Sequence, residues 1–366
     1  MEKYEFIDRI KEIKKIDKKI LAQAKLYQES LAKPIRSLGG LEEIAIQIAG
    51  IKGSIHYDFN RFALMVFASD NGVVKEGVSS TPQSVTYSQS INLTRHITGA
   101  ATLAGEFGCD VKVYDLGVIG DTSNSNVIQR KIRESTDDIF LGPAMTREEC
   151  MKAIQIGFDA IKENKDNYDA FALGEMGIGN TTTSSAIIAA LTGLSVEEVT
   201  GKGAGLSEEA YQHKIDVIKH AININNINKD DVYDVASKLG GFDICALLGA
   251  YLACAYYHKL AIIDGFISAT AAYLAFLINK DVKDYMMASH KSYEIGFMKI
   301  MKEMELNPYL DLNMRLGEGS GAVLAISLIK AACAIENKMG TFKQANINDD
   351  YLQELKIGDK FSVKEK

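Results

Sequence analysis

The sequence predicts an α/β protein with a mostly parallel sheet flanked by helices, together with a smaller, mainly helical domain. Continuously apolar runs such as residues 62–68 and 260–263 have the length of strands, and such strands belong to sheets covered on both faces. Helical segments alternate with these runs, as expected of a parallel sheet. The terminal segments lack such runs. We therefore assign residues 58–300 to the α/β domain, and residues 1–57 and 301–366 to the helical one.

The elements follow in chain order. Residues 1–32 carry apolar side chains at helical spacing and predict one or two amphipathic helices, which end before Pro34. Strands are predicted over residues 62–68, 111–114, 170–173, 260–263 and 284–288. Helices are predicted over residues 41–51, 88–107 and 147–164, up to Leu191, around Lys214, from Phe242 onward, and over 323–335.

Charged or polar side chains follow the predicted strands directly. They are Asp70, Asp115, Glu175, Asp264 and His290. In open α/β sheets, ligands bind beyond the carboxyl ends of the strands, where the strand order reverses. The pattern therefore predicts a Gly-rich acidic cleft at that edge.

Glu318 lies in a run of glycines, Leu316-Gly317-Glu318-Gly319-Ser320-Gly321, directly before an apolar helix. Glycines let the backbone approach a ligand closely, and a helix start offers free N–H groups to an anion. A poorly solvated carboxylate can act as a general base near neutral pH, which makes Glu318 and Glu175 candidate catalytic residues. The alternative is a structural role, in which each carboxylate caps a helix or pairs with a neighbour such as Arg315.

Composition excludes several classes of function. The net charge of −7 argues against nucleic acid as a partner, because phosphate neutralisation needs clustered Lys and Arg. Five scattered cysteines and the absence of a signal-peptide pattern indicate a reducing cytoplasm. The apolar stretch 244–278 is interrupted at His258 and Asp264, so its uninterrupted part is too short to span a membrane.

Common cofactor motifs are also missing. The loops 201–205 and 317–321 read Gly-x-Gly-x-Gly, which differs from the dinucleotide pattern, and no Gly-Lys-Ser/Thr loop occurs. The six histidines lack metal-ligand spacing, so we expect neither a metal nor a cofactor. A monophosphate held by backbone N–H groups, Lys214 and hydroxyl groups suits these loops better.

Longer blocks resemble the nicotinate-nucleotide:dimethylbenzimidazole phosphoribosyltransferase family over nearly the whole chain. They include residues 33–39, 71–83, 174–182, 201–205 with Lys214, 240–243, 264–265, 289–294 and 314–319. The resemblance implies a two-domain Rossmann-like fold and a homodimer. It also implies transfer of the phosphoribosyl group of nicotinate mononucleotide to an aromatic base, giving the nucleotide of the cobamide lower ligand, with Glu318 as the base.

The same resemblance implies roles for individual residues. Those expected at the phosphate and ribose are Gly177, Gly179, Asn180, Thr181, Gly203, Lys214, Ser289, Ser292 and Gly319. Those expected at the acceptor base are Ser79, Gln83, Met176 and Leu316, and Glu175 is expected near the sugar and base.

Three departures from the family pattern concern the acceptor wall and a flanking loop. Asn71 replaces a usual His, Thr81 a usual aromatic residue, and Phe297 a usual His. They leave open whether a benzimidazole, adenine or a phenolic compound is the acceptor. Two rival functions are a non-catalytic nucleotide sensor and a small-molecule dehydrogenase, and the missing dinucleotide pattern speaks against the latter.

Overall fold

A computed structural model describes residues 4–201, 207–348 and 350. The chain forms two compact units. The sheet unit holds the described residues of Met1–Lys15 and Asn60–Ile326, and the helical unit holds those of Ile16–Phe59 and Ser327–Lys366. These limits differ from the predicted domain limits, because residues 301–326, including Glu318, lie in the sheet unit.

The sheet has six strands in the order β3-β2-β1-β4-β5-β6, and every neighbouring pair is parallel. The strands are β1 (Phe62–Ser69), β2 (Cys109–Gly117), β3 (Ile128–Gln129), β4 (Ala170–Met176), β5 (Leu260–Ile263) and β6 (Met286–Ala288). Strands β1 and β4 are buried along their whole length, as the apolar runs 62–68 and 170–173 predict. The strand order reverses between β1 and β4, which defines the switch point where a ligand is expected. The predicted α/β class is confirmed.

Fourteen α-helices are present among the described residues. They are α1 (Glu5–Arg9), α2 (Lys18–Ser30), α3 (Gly40–Lys52), α4 (Ser84–Thr94), α5 (Gly99–Glu106), α6 (Arg147–Asn164), α7 (Asn180–Thr192), α8 (Val196–Val199), α9 (Glu208–Ile224), α10 (Val232–Leu239), α11 (Phe242–Tyr256), α12 (Phe266–Ile278), α13 (Ile295–Met304) and α14 (Ser320–Lys338).

The single helix predicted over residues 88–107 is wrong, because two helices occupy this segment. His96 adopts a left-handed backbone conformation (φ 57°), which ends the helical path after α4. Thr98 then caps α5 by accepting a hydrogen bond from the Ala101 N–H. The break gives α5 a free N-terminus beside Glu318.

The helical unit has its own buried polar contacts. Lys33 forms an ion pair with Glu42 at 2.8 Å, and the side chains of both residues are buried. Glu336 is also buried and accepts a hydrogen bond from the Gln28 amide. Burial raises the pKa of Glu336 to about 7.

Among the described residues, α14 is the one helix that is long and apolar enough to cross a membrane. Of its most apolar window, 56% is buried inside the protein. Core helices of globular proteins have the same length and composition, so this feature is weak support for a membrane span.

Candidate active site

A cleft of about 300 Å³ opens at the carboxyl edge of the sheet, within the sheet unit. Segments that follow β1, β4, β5 and β6 line it, together with the loop before α14. Three of the five polar residues predicted at strand ends lie in its lining: Glu175, Asp264 and His290. The predicted Gly-rich acidic cleft is therefore present at the switch point.

The other two strand-end carboxylates have structural partners instead. Asp70 accepts a hydrogen bond from the Ile119 N–H at 2.7 Å. Asp115 accepts one from the Val118 N–H at 2.9 Å and lies 3.3 Å from the Lys131 ammonium group. The prediction that these two carboxylates lie in the cleft is wrong, because each is bound by groups of neighbouring loops instead.

Glu318 lies in the cleft lining with only 5% of its surface exposed. Its Oε2 accepts a hydrogen bond from the Ala100 N–H at 3.2 Å, at the N-terminus of α5, and its Oε1 accepts one from the Gln89 amide at 3.4 Å. Burial raises the pKa of Glu318, while the Ala100 N–H opposes the rise. Arg315 stacks over the Tyr293 ring at 5.4 Å. Of the two structural alternatives, the contact with the Ala100 N–H corresponds to a helix cap.

The backbone at Glu318 is left-handed (φ 61°), between Gly317 (φ 85°) and Gly319 (φ 89°). A φ of 89° at Gly319 favours glycine, and a Cβ there would lie 2.4 Å from Cδ1 of the buried Leu64, so glycine suits this close approach of the loop to β1. Such strain at a non-glycine residue is typical of functional sites. The loop therefore fixes the Glu318 carboxylate at the cleft.

The N-terminus of α14 is not a free anion-binding site. Asp264 accepts three backbone hydrogen bonds, from Gly319 at 3.1 Å, Gly321 at 2.7 Å and Ala322 at 3.2 Å. Burial raises the pKa of Asp264, and His290, 4.0 Å away, acts in the opposite direction. The N–H groups that the Gly-rich sequence offered to a ligand are thus taken by a carboxylate of the protein itself, which corrects that expectation for Gly319.

The N-terminus of α7 is the helix start that opens into the cleft. Gly177, Gly179, Asn180 and Thr181 all lie in the lining. The cap position of this helix is Gly179, which has no side chain to cap it and adopts a left-handed conformation (φ 95°). The buried Lys214 donates a hydrogen bond from Nζ to Oγ1 of Thr181 at 3.1 Å. Burial lowers the pKa of Lys214 to about 8.

Glu175 lies on the cleft floor and is joined to a second buried carboxylate. The Asn180 amide donates to Oε2 of Glu175 and, at 2.9 Å, to Oδ2 of Asp243. Burial, followed by the negative charge of Asp243, raises the pKa of Glu175 to about 8. Its Oε1 points toward Gly317, where a Cβ would lie 2.9 Å away.

The residues expected at the acceptor lie mostly together. Ser79, Met176 and Leu316 are in the lining, and Leu316 is 58% exposed. Gln83 is not among the lining residues, because its amide donates to the Asn71 carbonyl at 3.4 Å. Thr81, one of the three departures, faces the cleft, whereas Asn71 and Phe297 are buried behind it.

Two further predicted residues have other surroundings. Ser292 is in the lining, but Ser289 is buried behind it, with Oγ 3.0 Å from Nδ1 of His290. Gly203 lies outside the described residues.

Sequence reasoning missed Gln89, the start of α5 and the position of Asp243. Gln89 and Ala100 reach Glu318 from 229 and 218 residues away in the chain. Gln89 and Thr98 lie in a segment that reads as one continuous helix, so no local pattern marks them. Asp243 was visible in the block 240–243, but its contact with Asn180 is purely tertiary.

Comparison with known proteins agrees with this geometry. A family model described as "Phosphoribosyltransferase" matches residues 13–347. A nicotinate-nucleotide–dimethylbenzimidazole phosphoribosyltransferase of Clostridium perfringens is 45% identical over 348 residues, which are 95% of this chain and 96% of the relative. The protein of the same name from Ruminiclostridium cellulolyticum is 46% identical over 343 residues, covering 93% and 97%. The crystal structure of CobT from Thermus thermophilus is 36% identical, with a TM-score of 0.86 over 90% of this chain and 99% of that one.

Proposed function

The chain belongs to this phosphoribosyltransferase family, and we propose that it transfers the phosphoribosyl group of nicotinate mononucleotide to an aromatic base such as 5,6-dimethylbenzimidazole. The products are free nicotinate and the α-nucleotide that forms the lower ligand of cobamides. The enzyme is thus a pentosyltransferase. The observation that carries this proposal at the site is the Glu318 carboxylate, buried in the cleft by a glycine loop and held by two hydrogen-bond donors.

The reaction is a displacement at the anomeric carbon of the ribose. A ring nitrogen of the acceptor forms the new bond to this carbon from the face opposite the nicotinate. The old carbon–nitrogen bond breaks, and its electron pair returns to the pyridinium nitrogen, so nicotinate leaves with a neutral ring. Configuration inverts from β to α, and the N–H proton of the acceptor passes to a base.

Glu318 is that base in our proposal. It must be ionised to accept the proton, and burial brings its pKa closer to neutrality, which suits general base catalysis. The Ala100 N–H lies at the positive end of a helix and stabilises the ionised form. The Gln89 amide fixes the other oxygen, so the carboxylate is oriented before substrate binds.

The phosphate and ribose lie at the start of α7. Its N-terminus supplies a positive dipole end. The Asn180 and Thr182 N–H groups donate to the Gly177 and Gly179 carbonyls, so the Thr181 N–H is the one we assign to the ligand. Lys214 lies directly behind Thr181 and adds a positive charge, and Ser292 adds a hydroxyl group from the far side of the cleft. Gly203 and Ser289 stay predictions for this subsite. The chain supplies these contacts itself, so we infer that the reaction needs no metal or cofactor.

The acceptor lies between Ser79, Met176 and Leu316. Thr81 makes this wall smaller and more polar than the aromatic residue expected there, which favours testing adenine and phenols beside benzimidazoles. A phenol would bond through oxygen. Gln83 stays a prediction for acceptor binding through its contact with the loop that carries Asn71.

We propose that the enzyme acts as a homodimer in the cytoplasm. Large apolar side chains near the cleft are solvent-exposed in the single chain, among them Tyr293 (65%), Ile295 (53%) and Leu316 (58%). Exposed apolar surface of this kind favours association with a protein partner. Light scattering on the purified protein tests the dimer, and a monomeric mass would contradict it.

Nicotinate release from nicotinate mononucleotide tests the proposed function. Dimethylbenzimidazole, adenine and a cresol are offered in parallel, and products are separated by chromatography. We expect release with at least one acceptor and loss of release in Glu318→Ala. Tight binding of the nucleotide without release by any acceptor would instead support a sensor.

A further inference from the structure

Four carboxyl groups line the cleft, and their hydrogen bonds differ; they are Glu175, Asp264, Glu294 and Glu318. Asp264 accepts three backbone N–H groups, and Glu318 accepts a backbone N–H and an amide. The positive charge of Lys214 favours the ionised form of Glu294. Among the described residues, the hydrogen bond that Glu175 accepts comes from Asn180, so Glu175 has the weakest support for a negative charge of the four.

Asp243 lies behind Glu175 and makes ionisation of Glu175 still less favourable. It is fully buried, and its Oδ1 has no hydrogen-bond partner among the described residues. The Asn180 amide donates to both carboxyl groups, which holds their oxygens against one nitrogen. Two carboxylates this close cannot both carry a full charge in a buried site without a large penalty.

We propose that Asp243, held against Glu175 by the bridging Asn180 amide, is a positioning residue that keeps Glu175 a neutral carboxylic acid in the resting enzyme. Glu318 then ionises in the cleft beside a neutral Glu175. Two acids in one site thus take two roles, a proton-bearing donor and a base, which their surroundings set. The catalytic consequence rests on the proposed function, whereas the protonation state of Glu175 does not.

The surrounding charges agree with this assignment. Burial and then Asp243 raise the pKa of Glu175 to about 8, Asn180 opposes the rise, and Asp264 and Glu318 add to it. Asp243 in turn faces Asp70, and Asp264 faces His290. Burial raises the pKa of Asp243 to about 6. Below pH of about 8 Glu175 keeps its proton, while Asp243 is ionised above about 6.

A neutral Glu175 can donate its O–H to an oxygen of the substrate, such as a ribose hydroxyl. Ionised, it loses that donor and adds a further negative charge to a cleft that must admit a phosphate and a carboxylate. The rate is therefore expected to fall as pH rises through the pKa of Glu175. Replacing Asp243 by Asn removes one negative charge and moves this fall to lower pH.

Infrared spectroscopy tests the protonation state without relying on activity. At neutral pH, the difference spectrum between wild type and Glu175→Gln is expected to show the C=O stretch of a protonated carboxyl group. In Asp243→Asn this band is expected to disappear at lower pH than in wild type. Asp243→Ala removes the same charge without adding an amide and is expected to shift the band in the same direction. Asp115→Asn, a buried strand-end Asp away from the cleft, is the matched control and is expected to leave the band unchanged.

Absence of the band in wild type would overturn the proposal that Glu175 is neutral. An unchanged titration in both Asp243→Asn and Asp243→Ala would overturn the role of Asp243, and the second variant keeps the test open if the first does not fold. If the band behaves as expected but nicotinate is never released, the proposed function fails and the inference stands. If nicotinate is released but the band is absent, only the inference fails.

Discussion

Replacing Glu318 by Gln removes the proposed base while keeping the shape of the side chain. The Gln carbonyl can still accept the Ala100 N–H hydrogen bond, so the loop and the start of α5 keep their contact. The ability to take a proton is lost, together with one of the two oxygens, which accepts the weaker hydrogen bond from the Gln89 amide. General bases contribute about 10²–10⁴ in rate, which corresponds to about 3–5 kcal/mol in the barrier. We expect kcat to fall by this factor, with little change in the KM for nicotinate mononucleotide.

The assay is nicotinate release at saturating acceptor across a range of pH. In wild type, activity rises with pH through the raised pKa of Glu318, because the base must be ionised. Glu318→Gln is expected to lose this acidic limb. Glu305→Gln is the matched control, since Glu305 also has a left-handed backbone (φ 57°) but is exposed and paired with Lys283. Near wild-type turnover in Glu318→Gln would refute the reasoning.

Three further perturbations have defined outcomes. Lys214→Met should raise the KM for nicotinate mononucleotide more than it lowers kcat. Wild-type kcat/KM should fall as pH rises through about 8, because Lys214 then loses its charge. An unchanged KM in the variant would argue against a phosphate contact. Gly319→Ala should destabilise the protein by about 1–3 kcal/mol in thermal unfolding, since the new Cβ would meet Leu64 and the φ at this position is 89°. Gly193→Ala is the control, because Gly193 also has a positive φ but open space where its Cβ would lie, and it should cost less. Equal losses of stability in the two variants would contradict the packing argument. In wild type, stability is expected to fall as pH rises toward about 7, because Glu336 keeps a proton in the folded protein that it releases in the unfolded chain. Glu336→Gln should reduce this fall. A variant with the same pH dependence of Tm as wild type would contradict the prediction.

The strands that form the switch point are readable from the sequence. Residues 62–68 and 170–173 are continuously apolar because both faces of the sheet are covered, and the polar residue after each strand lies at the carboxyl edge. The two-residue strand β3 carries no such signal, because one pairing of two residues is too short to impose a pattern. Periodicity likewise cannot show that His96 turns the chain left-handed and separates α4 from α5.

The site was predictable as a set of loops but not as a set of contacts. Gly177–Thr181 and Gly317–Gly321 both read as glycine-rich helix starts, and nothing local distinguishes them. Asp264 makes the distinction, because its carboxylate binds the N–H groups at the start of α14. It lies more than 50 residues away from that helix start in the chain. Packing also decided which strand-end carboxylates reach the cleft, since Asp70 and Asp115 are held by loops that follow β2.

The configuration of the product nucleotide tests the central claim most directly. Wild-type protein is incubated with nicotinate mononucleotide and the best acceptor, and the anomeric proton of the product is examined by NMR alongside the amount of nicotinate released. We predict an α-linked nucleotide formed in equal amount to nicotinate. A β-linked product, or nicotinate released without any nucleotide of the acceptor, would contradict direct displacement by the acceptor nitrogen.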